Sequence, residues 1–314
     1  MTNMRVVEVS ELGGPEVLRV ASRPKPAPGP TEVLVAVHAA GVNPVDWKVR
    51  AGGGFLGEPP FVVGWDVAGV VEAVAGGVTW LAPGDEVLGM PWFPRQAAAY
   101  AEYVTAPARH FVRKPASLSF AEAAGLPLAG LTAWQALVDT ADVRPGRRVL
   151  INGAAGGVGH LAVQIAKARG AHVLGTARAA KHDFLRSLGV DEPIDYTAGD
   201  VVAQAGAVDV VFDMIGGAHT ATLAPAVREG GIVIPLTGGL TDETAEIARA
   251  RGARATGLLV EPDHAGLAEL VALVESGALR VHVERTFPLA EAAQAHRLGE
   301  AGRVTGKLVL TVRA

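Results

Sequence analysis

Apolar and polar positions alternate early in the chain. Val33, Val35 and Val37 fall on one face of an extended segment and Leu34, Ala36 and His38 on the other, which is the period of a β-strand. Residues 67–74 form a second β-branched run. Asp85-Glu86-Val87-Leu88 form a third, entered through the turn Pro83-Gly84. Pro24, Pro26, Pro28 and Pro30 make a link that neither a helix nor a central strand tolerates. Short strands separated by Gly/Pro turns over the first 120 residues predict a distorted barrel or sandwich.

Near residue 121 the period changes. Segments 121–126 and 132–139 read as helical, and strands and helices then alternate: strand 148–152, helix 158–169, strand 172–176, helix 181–188, and strands 209–213 and 231–236. Such alternation implies right-handed crossovers and a parallel, doubly wound sheet. An amphipathic helix at 267–276, a strand at 281–287, a short helix at 289–298 and a strand at 307–312 close the chain. The pattern predicts an α/β protein with a β-rich domain over residues 1–122, a nucleotide-binding domain over 123–261, and a return to the first domain over 262–314.

Composition narrows the classes of function. The chain has 314 residues, 49% apolar and 19% charged, enough for two domains with their own cores. A net charge of -4 gives no basic field, so neither nucleic acid nor an anionic membrane is an expected partner. No window approaches the roughly 20 apolar residues of a spanning helix. Residues 1–10 carry no apolar signal core, so a cytoplasmic location is the default expectation. Cysteine is absent, which removes disulfides, thiol nucleophiles and thiolate zinc sites together. No two of the nine histidines stand in His-x-x-x-His spacing, and no metal is expected.

The most specific signal is a glycine loop. Val149-Leu150-Ile151 runs into Gly153-Ala154-Ala155-Gly156-Gly157-Val158-Gly159, and a helix with Leu161, Ile165 and Ala168 on its apolar face follows. Glycines at such a turn let the backbone, with Gly156, Gly157 and Val158, approach a pyrophosphate at the helix N-terminus. An enzyme that uses NADH places an acid about 20 residues on, to hold the ribose 2′-hydroxyl. Here that stretch reads Gly175-Thr176-Ala177-Arg178-Ala179-Ala180-Lys181, with two cations and no acid. Arg178 and Lys181 suit a 2′-phosphate, so NADPH is the expected cofactor. The plainer alternative is that both are solvated surface charges.

Gly13-Gly14-Pro15-Glu16-Val17-Leu18, Ala39-Ala40-Gly41-Val42-Asn43-Pro44-Val45-Asp46, Leu131-Thr132-Ala133-Trp134, the glycine loop and Gly306-Lys307-Leu308-Val309-Leu310 stand in family order from near residue 5 to the end. Together they resemble the quinone oxidoreductase branch of the medium-chain dehydrogenase/reductases. The resemblance implies a GroES-like catalytic domain, split in sequence, flanking a Rossmann domain, with the active site in the cleft between them. It also implies NADPH-dependent reduction of quinones or activated alkenes, in a homodimer. Zinc-dependent relatives carry Gly-His-Glu where this chain has Gly64-Trp65-Asp66, and cysteine ligands where it has none. A zinc route to alcohol oxidation is therefore not expected.

The resemblance further places Asn43 near the nicotinamide ribose and Thr132 and Tyr196 along the phosphates. Met214 and Ile215 cross the adenine ribose, Leu236 and Gly238 end the next strand, and Leu258, Leu259 and Val260 run past the nicotinamide. Lys307 closes the cleft. Reduction of an enone or quinone builds negative charge on oxygen, so a donor is needed near that atom. Asp46 and Lys48 are expected to form a polar pair whose ammonium donates to the oxygen or relays a proton. Asp46 read structurally is a turn residue or helix cap, and Lys48 a surface charge. Some enoyl reductases of the superfamily place a tyrosine acid near Gly52-Gly53-Gly54. No tyrosine precedes Tyr100 here, which leaves solvent or the cofactor's own hydroxyl as proton sources.

Trp47, Phe55, Trp65 and Trp92 are candidates to line an apolar pocket for a small, flat, hydrophobic substrate, with residues 90–95 as a candidate lid. The leading reading is an NADPH-dependent quinone or enone reductase. An enoyl-thioester reductase and an NADPH-binding protein without turnover are the alternatives.

Overall fold

The computed structural model describes residues 2–313, which divide into two compact units. The first comprises the chain up to Leu131 with Glu261–Glu275 and the stretch from Val281 on. The second comprises Thr132–Val260 with Ser276–Arg280.

In the first unit the long strand Glu32–Val42 organises the main sheet. It pairs antiparallel with Val67–Val74, with Tyr103–Pro107 along its first half and with Lys307–Thr311 along its second. Glu86–Gly89 and Phe111–Arg113 continue one edge, and Val283–Pro288 lies parallel to Lys307–Thr311 on the other. The helix Ala292–Glu300 connects this parallel pair, as a crossover must. Asn3–Val9 pairs with Leu18–Pro24 and Phe61–Val62 in a separate three-stranded sheet. Val33, Val35 and Val37 are all fully buried, on the face that the alternation predicts.

A helix the periodicity leaves unmarked, Pro44–Gly52, follows the long strand directly. Proline at its first position and an acid at its third start it. Gly41, just before, stands where a side chain has no room: a methyl there would run into the Ala124 carbonyl and the Asp66 carboxylate.

The second unit contains the parallel sheet expected from strand–helix alternation. Across the sheet the strands run Glu192–Ile194, His172–Thr176, Arg148–Asn152, Val208–Asp213, Val227–Pro235 and Arg254–Ala255, all parallel. Numbered along the unit this is the order 3-2-1-4-5-6, which reverses direction between Arg148–Asn152 and Val208–Asp213; ligands of such sheets bind outside the carboxyl ends at that point. Leu150, Leu174, Val211 and Val233 fill the core from four neighbouring strands.

Several boundaries differ from the sequence reading: the first unit runs to Leu131 and not to 122, Ser276–Arg280 belongs to the second unit, the helix at 267–276 starts at His264, and the strand at 281–287 starts at Val283. The helix at 132–139 starts earlier, as Pro127–Trp134, and continues in a wider turn over Gln135–Thr140. Val227–Pro235 begins four residues before Gly231, because a register irregularity opposite Val208–Val210 accommodates the polar Arg228-Glu229-Gly230 segment.

The glycine loop joins Arg148–Asn152 to the helix Gly159–Ala168. Gly159 is fixed by its surroundings: a β-carbon there would collide with the Gly153 carbonyl and with Ala154. Gly159→Ala therefore forces helix and loop apart. Urea unfolding should show a loss of about 1–3 kcal/mol, the usual cost of overpacking; unchanged stability would contradict the close approach.

Candidate active site

In the second unit a buried polar network ties the carboxyl ends of three strands. Asn152 donates from Nδ2 to Asp213 Oδ1 at 2.7 Å and accepts from the Thr176 hydroxyl, while Gly153 N–H donates to that hydroxyl at 3.0 Å. Asp213 also accepts from Ile215 N, Gly216 N and Thr220 Oγ1. The loop that opens at Gly153 and the loop that opens at Met214 are thus anchored to the same carboxylate. Asn152 escapes the sequence reading, and Asp213 enters it only as the first residue of the loop through Gly217, although a polar residue ending a strand is a visible signal.

The expected cofactor residues of this unit differ in exposure. Gly156, Gly157 and Val158 are half-buried ahead of the helix, and Thr176 is buried. Arg178 is exposed and donates from Nε to the hydroxyl of Tyr196 at 3.0 Å, with Lys181 three residues beyond. Asp195, adjacent to Tyr196 in the chain, is committed to Ala179 N, Thr197 N and Thr197 Oγ1. Met214, Leu236 and Leu258 are half-buried, Ile215, Gly238 and Leu259 are exposed, and Thr132 and Val260 are buried. A glycine-rich turn closed by Gly159, which has no room for a side chain, and the start of a ten-residue helix fit a dinucleotide.

The first unit holds a denser cluster, entirely buried. Asn43 donates from Nδ2 to Asp66 Oδ2 at 2.7 Å, and its Oδ1 accepts from the Lys307 ammonium. Lys307 Nζ also donates to the Val42 carbonyl at 3.1 Å and lies 3.5 Å from Asp66. The other oxygen of Asp66 accepts from Leu128 N at 2.7 Å. Burial pushes the Asp66 carboxyl up and the Lys307 ammonium down, and each opposes the shift of the other.

Asp46 sits beside this pair. Its Oδ2 accepts from Asn43 N–H at 2.6 Å and from the Tyr100 hydroxyl at 3.1 Å, whereas its buried Oδ1 has no hydrogen-bond partner. Burial raises its carboxyl to about 7, with Asp66 adding to the rise and the Asn43 N–H, Lys307 and Tyr100 opposing it. Folded Asp46 therefore binds its proton more tightly than the unfolded chain does. Its contribution to stability is complete below the ordinary carboxylate range and is lost as pH rises through about 7.

The polar pair expected of Asp46 and Lys48 does not form. Two residues apart on a helix face different directions, and Lys48 is exposed while Asp46 is buried. The four aromatics do not converge either. Trp65 is fully buried, with its indole N–H on the Arg95 carbonyl, and Trp47 lies against Gly299 and edge-on to His296. Trp92 is held to Thr105 and His110, which pins the candidate lid to the body of the unit. Phe55, 52% exposed and edge-on to Phe93, keeps an open ring face.

Residues 29–116 match the family described as alcohol dehydrogenase GroES-like domain, and residues 188–310 the one described as zinc-binding dehydrogenase. An NADPH-dependent alkenal/one oxidoreductase of Arabidopsis thaliana chloroplasts is 37% identical over 98% of this chain and 79% of its own length. The quinone oxidoreductase of Coxiella burnetii superposes with a TM-score of 0.93 at 38% identity, over 99% of this chain and all of its own. The pikromycin polyketide synthase component PikAII of Streptomyces venezuelae is 38% identical over 90% of this chain, which spans only 8% of that relative.

Lys307→Met leaves Asp66 buried without its counter-charge and frees one oxygen of Asn43. Denaturant unfolding should show a loss of about 3–5 kcal/mol, and adding Asp66→Asn should recover a large part of it. A single variant as stable as the parent would contradict the buried pair.

Proposed function

This chain belongs to the quinone oxidoreductase-like family of the medium-chain dehydrogenase/reductases, and on that basis we propose that it uses NADPH to reduce quinones or activated alkenes without zinc. The reading is carried chiefly by Arg178, exposed beside Tyr196 at the end of the second parallel strand, where selection for NADH would call for an acid. Absence of cysteine supports the zinc-free route, since the thiolate ligands of a dehydrogenase zinc site have no counterpart.

NADPH, when bound, supplies the hydride. The glycine loop and the start of Gly159–Ala168 hold the pyrophosphate through backbone N–H groups, and Arg178 with Lys181 holds the 2′-phosphate. Asn43 is kept in one orientation by Lys307 and Asp66, ready to position the ribose. Asp46 retains a proton near neutral pH, which suits it to balance the charge that hydride addition creates. Lys48, exposed on the same helix, is the competing proton source. Phe55 offers an apolar face to a flat substrate. A cytoplasmic homodimer is the assembly this reading carries.

Loss of NADPH absorbance should be seen with 1,4-benzoquinone, 9,10-phenanthrenequinone and a simple enone. The likeness to part of a polyketide synthase component puts crotonyl thioester in the same panel. Turnover with the thioester alone would transfer the assignment to an enoyl-thioester reductase, and tight binding with no turnover to a binding protein. By isothermal titration, Arg178→Ala should weaken NADPH at least roughly tenfold and leave NADH unchanged. Equal affinity of the parent for NADH and NADPH would contradict the cofactor assignment. Lys48→Ala should leave the rate on a good enone unchanged; a large loss would move the proton to Lys48.

A further inference from the structure

Three buried side chains that the family reading does not use are joined to Asp46. Tyr100 places its hydroxyl 3.1 Å from Asp46 Oδ2 and 3.0 Å from His296 Nε2. His296 Nδ1 lies 3.1 Å from Arg50 NH1, and Arg50 ends in an ion pair with Glu300 at 2.7 Å. Arg50 and His296 are almost wholly buried, and only Glu300 reaches solvent.

The proton positions along this chain follow from its ends. A guanidinium only donates, so His296 Nδ1 accepts. Burial, reinforced by Arg50, holds the imidazole down to about 3, so the ring is neutral and carries its hydrogen on Nε2. That N–H donates to the Tyr100 oxygen, and the Tyr100 hydroxyl must then donate to Asp46. Burial and the neighbouring Asp46 charge push the Tyr100 hydroxyl well up, so it keeps its proton. With Asn43 N–H, Oδ2 receives two donors and Oδ1 none. The charges facing the cluster balance in pairs, Lys307 against Asp66 and Arg50 against Glu300, and an ionised Asp46 is the one left over.

We propose that Tyr100, His296 and Arg50 are positioning residues for Asp46, forming a one-way hydrogen-bond chain that fixes Oδ2 as an acceptor and leaves Oδ1 to carry the exchangeable proton. The chain is not a wire to solvent, because Arg50 has no proton to give up. It sets how firmly Asp46 holds its proton, and its use in turnover rests on the proposed role of Asp46.

The test follows the Asp46 carboxyl by ¹³C NMR through a pH titration, its signal identified by loss in Asp46→Asn, beside the pH dependence of kcat. Tyr100→Phe keeps the ring and removes one donor to the carboxylate, so the NMR midpoint should rise by about one pH unit. The kcat profile should move with it. His296→Leu should shift the midpoint the same way, and His296→Gln, whose amide donates to the Tyr100 oxygen, should restore it. An unmoved NMR midpoint in Tyr100→Phe overturns the positioning chain. A midpoint that rises while the kcat profile stays fixed upholds the chain and overturns the role of Asp46 in turnover.

Discussion

Burial of an ammonium and two carboxylates at the end of one strand is the constraint on which the first unit depends. Removing charge from water is tolerated only where partners are complete, and Asn43, Val42 and Leu128 complete them for Lys307 and Asp66. The partners come from distant parts of the chain: the long strand, the segment after Val63, the helix region near Leu128, and the C-terminal strand. Gly41 permits the approach of Asp66, and the C-terminal strand must be docked before Lys307 has an acceptor. Asp46, beside this pair, is a buried acid with one satisfied and one unsatisfied oxygen, and its burial holds its proton.

The second unit solves a different problem, bringing backbone amides close to an anion. Gly159 allows the helix to start against the first parallel strand, and Asp213 fixes the two loops that flank that start. Asn152 and Thr176 carry this order across to the second strand. These side chains tie the carboxyl ends together beyond the apolar stretches Val149-Leu150-Ile151 and Val210-Val211-Phe212.

Local patterns made much of this legible. The glycine loop, the Val67–Val74 strand and the alternation of strand and helix are short-range signals, read from neighbours in sequence. So is the exchange of an acid for Arg178. Pro44–Gly52 was hidden because its start depends on a proline and a cap, with no long apolar stripe behind them. The partners of Asp46 were hidden for a deeper reason. Tyr100 and His296 lie 54 and 196 residues apart from their neighbours in the chain, and no periodicity links residues that only the fold brings together. Pairing Asp46 with Lys48 failed because proximity in sequence is not proximity on a helix face. The aromatics spread out because a large ring is more often enclosed, as Trp65 is, than left open like Phe55.

Asp46 as a proton-holding acid is the point on which structure and chemistry meet. Infrared difference spectroscopy between about pH 6 and about pH 8 reads it directly, through the carbonyl stretch of a protonated carboxyl group shielded from water. The account predicts such a band at the lower pH, its loss at the higher, and its absence from Asp46→Asn. A parent protein without the band at about pH 6, or with the same band in Asp46→Asn, would contradict it.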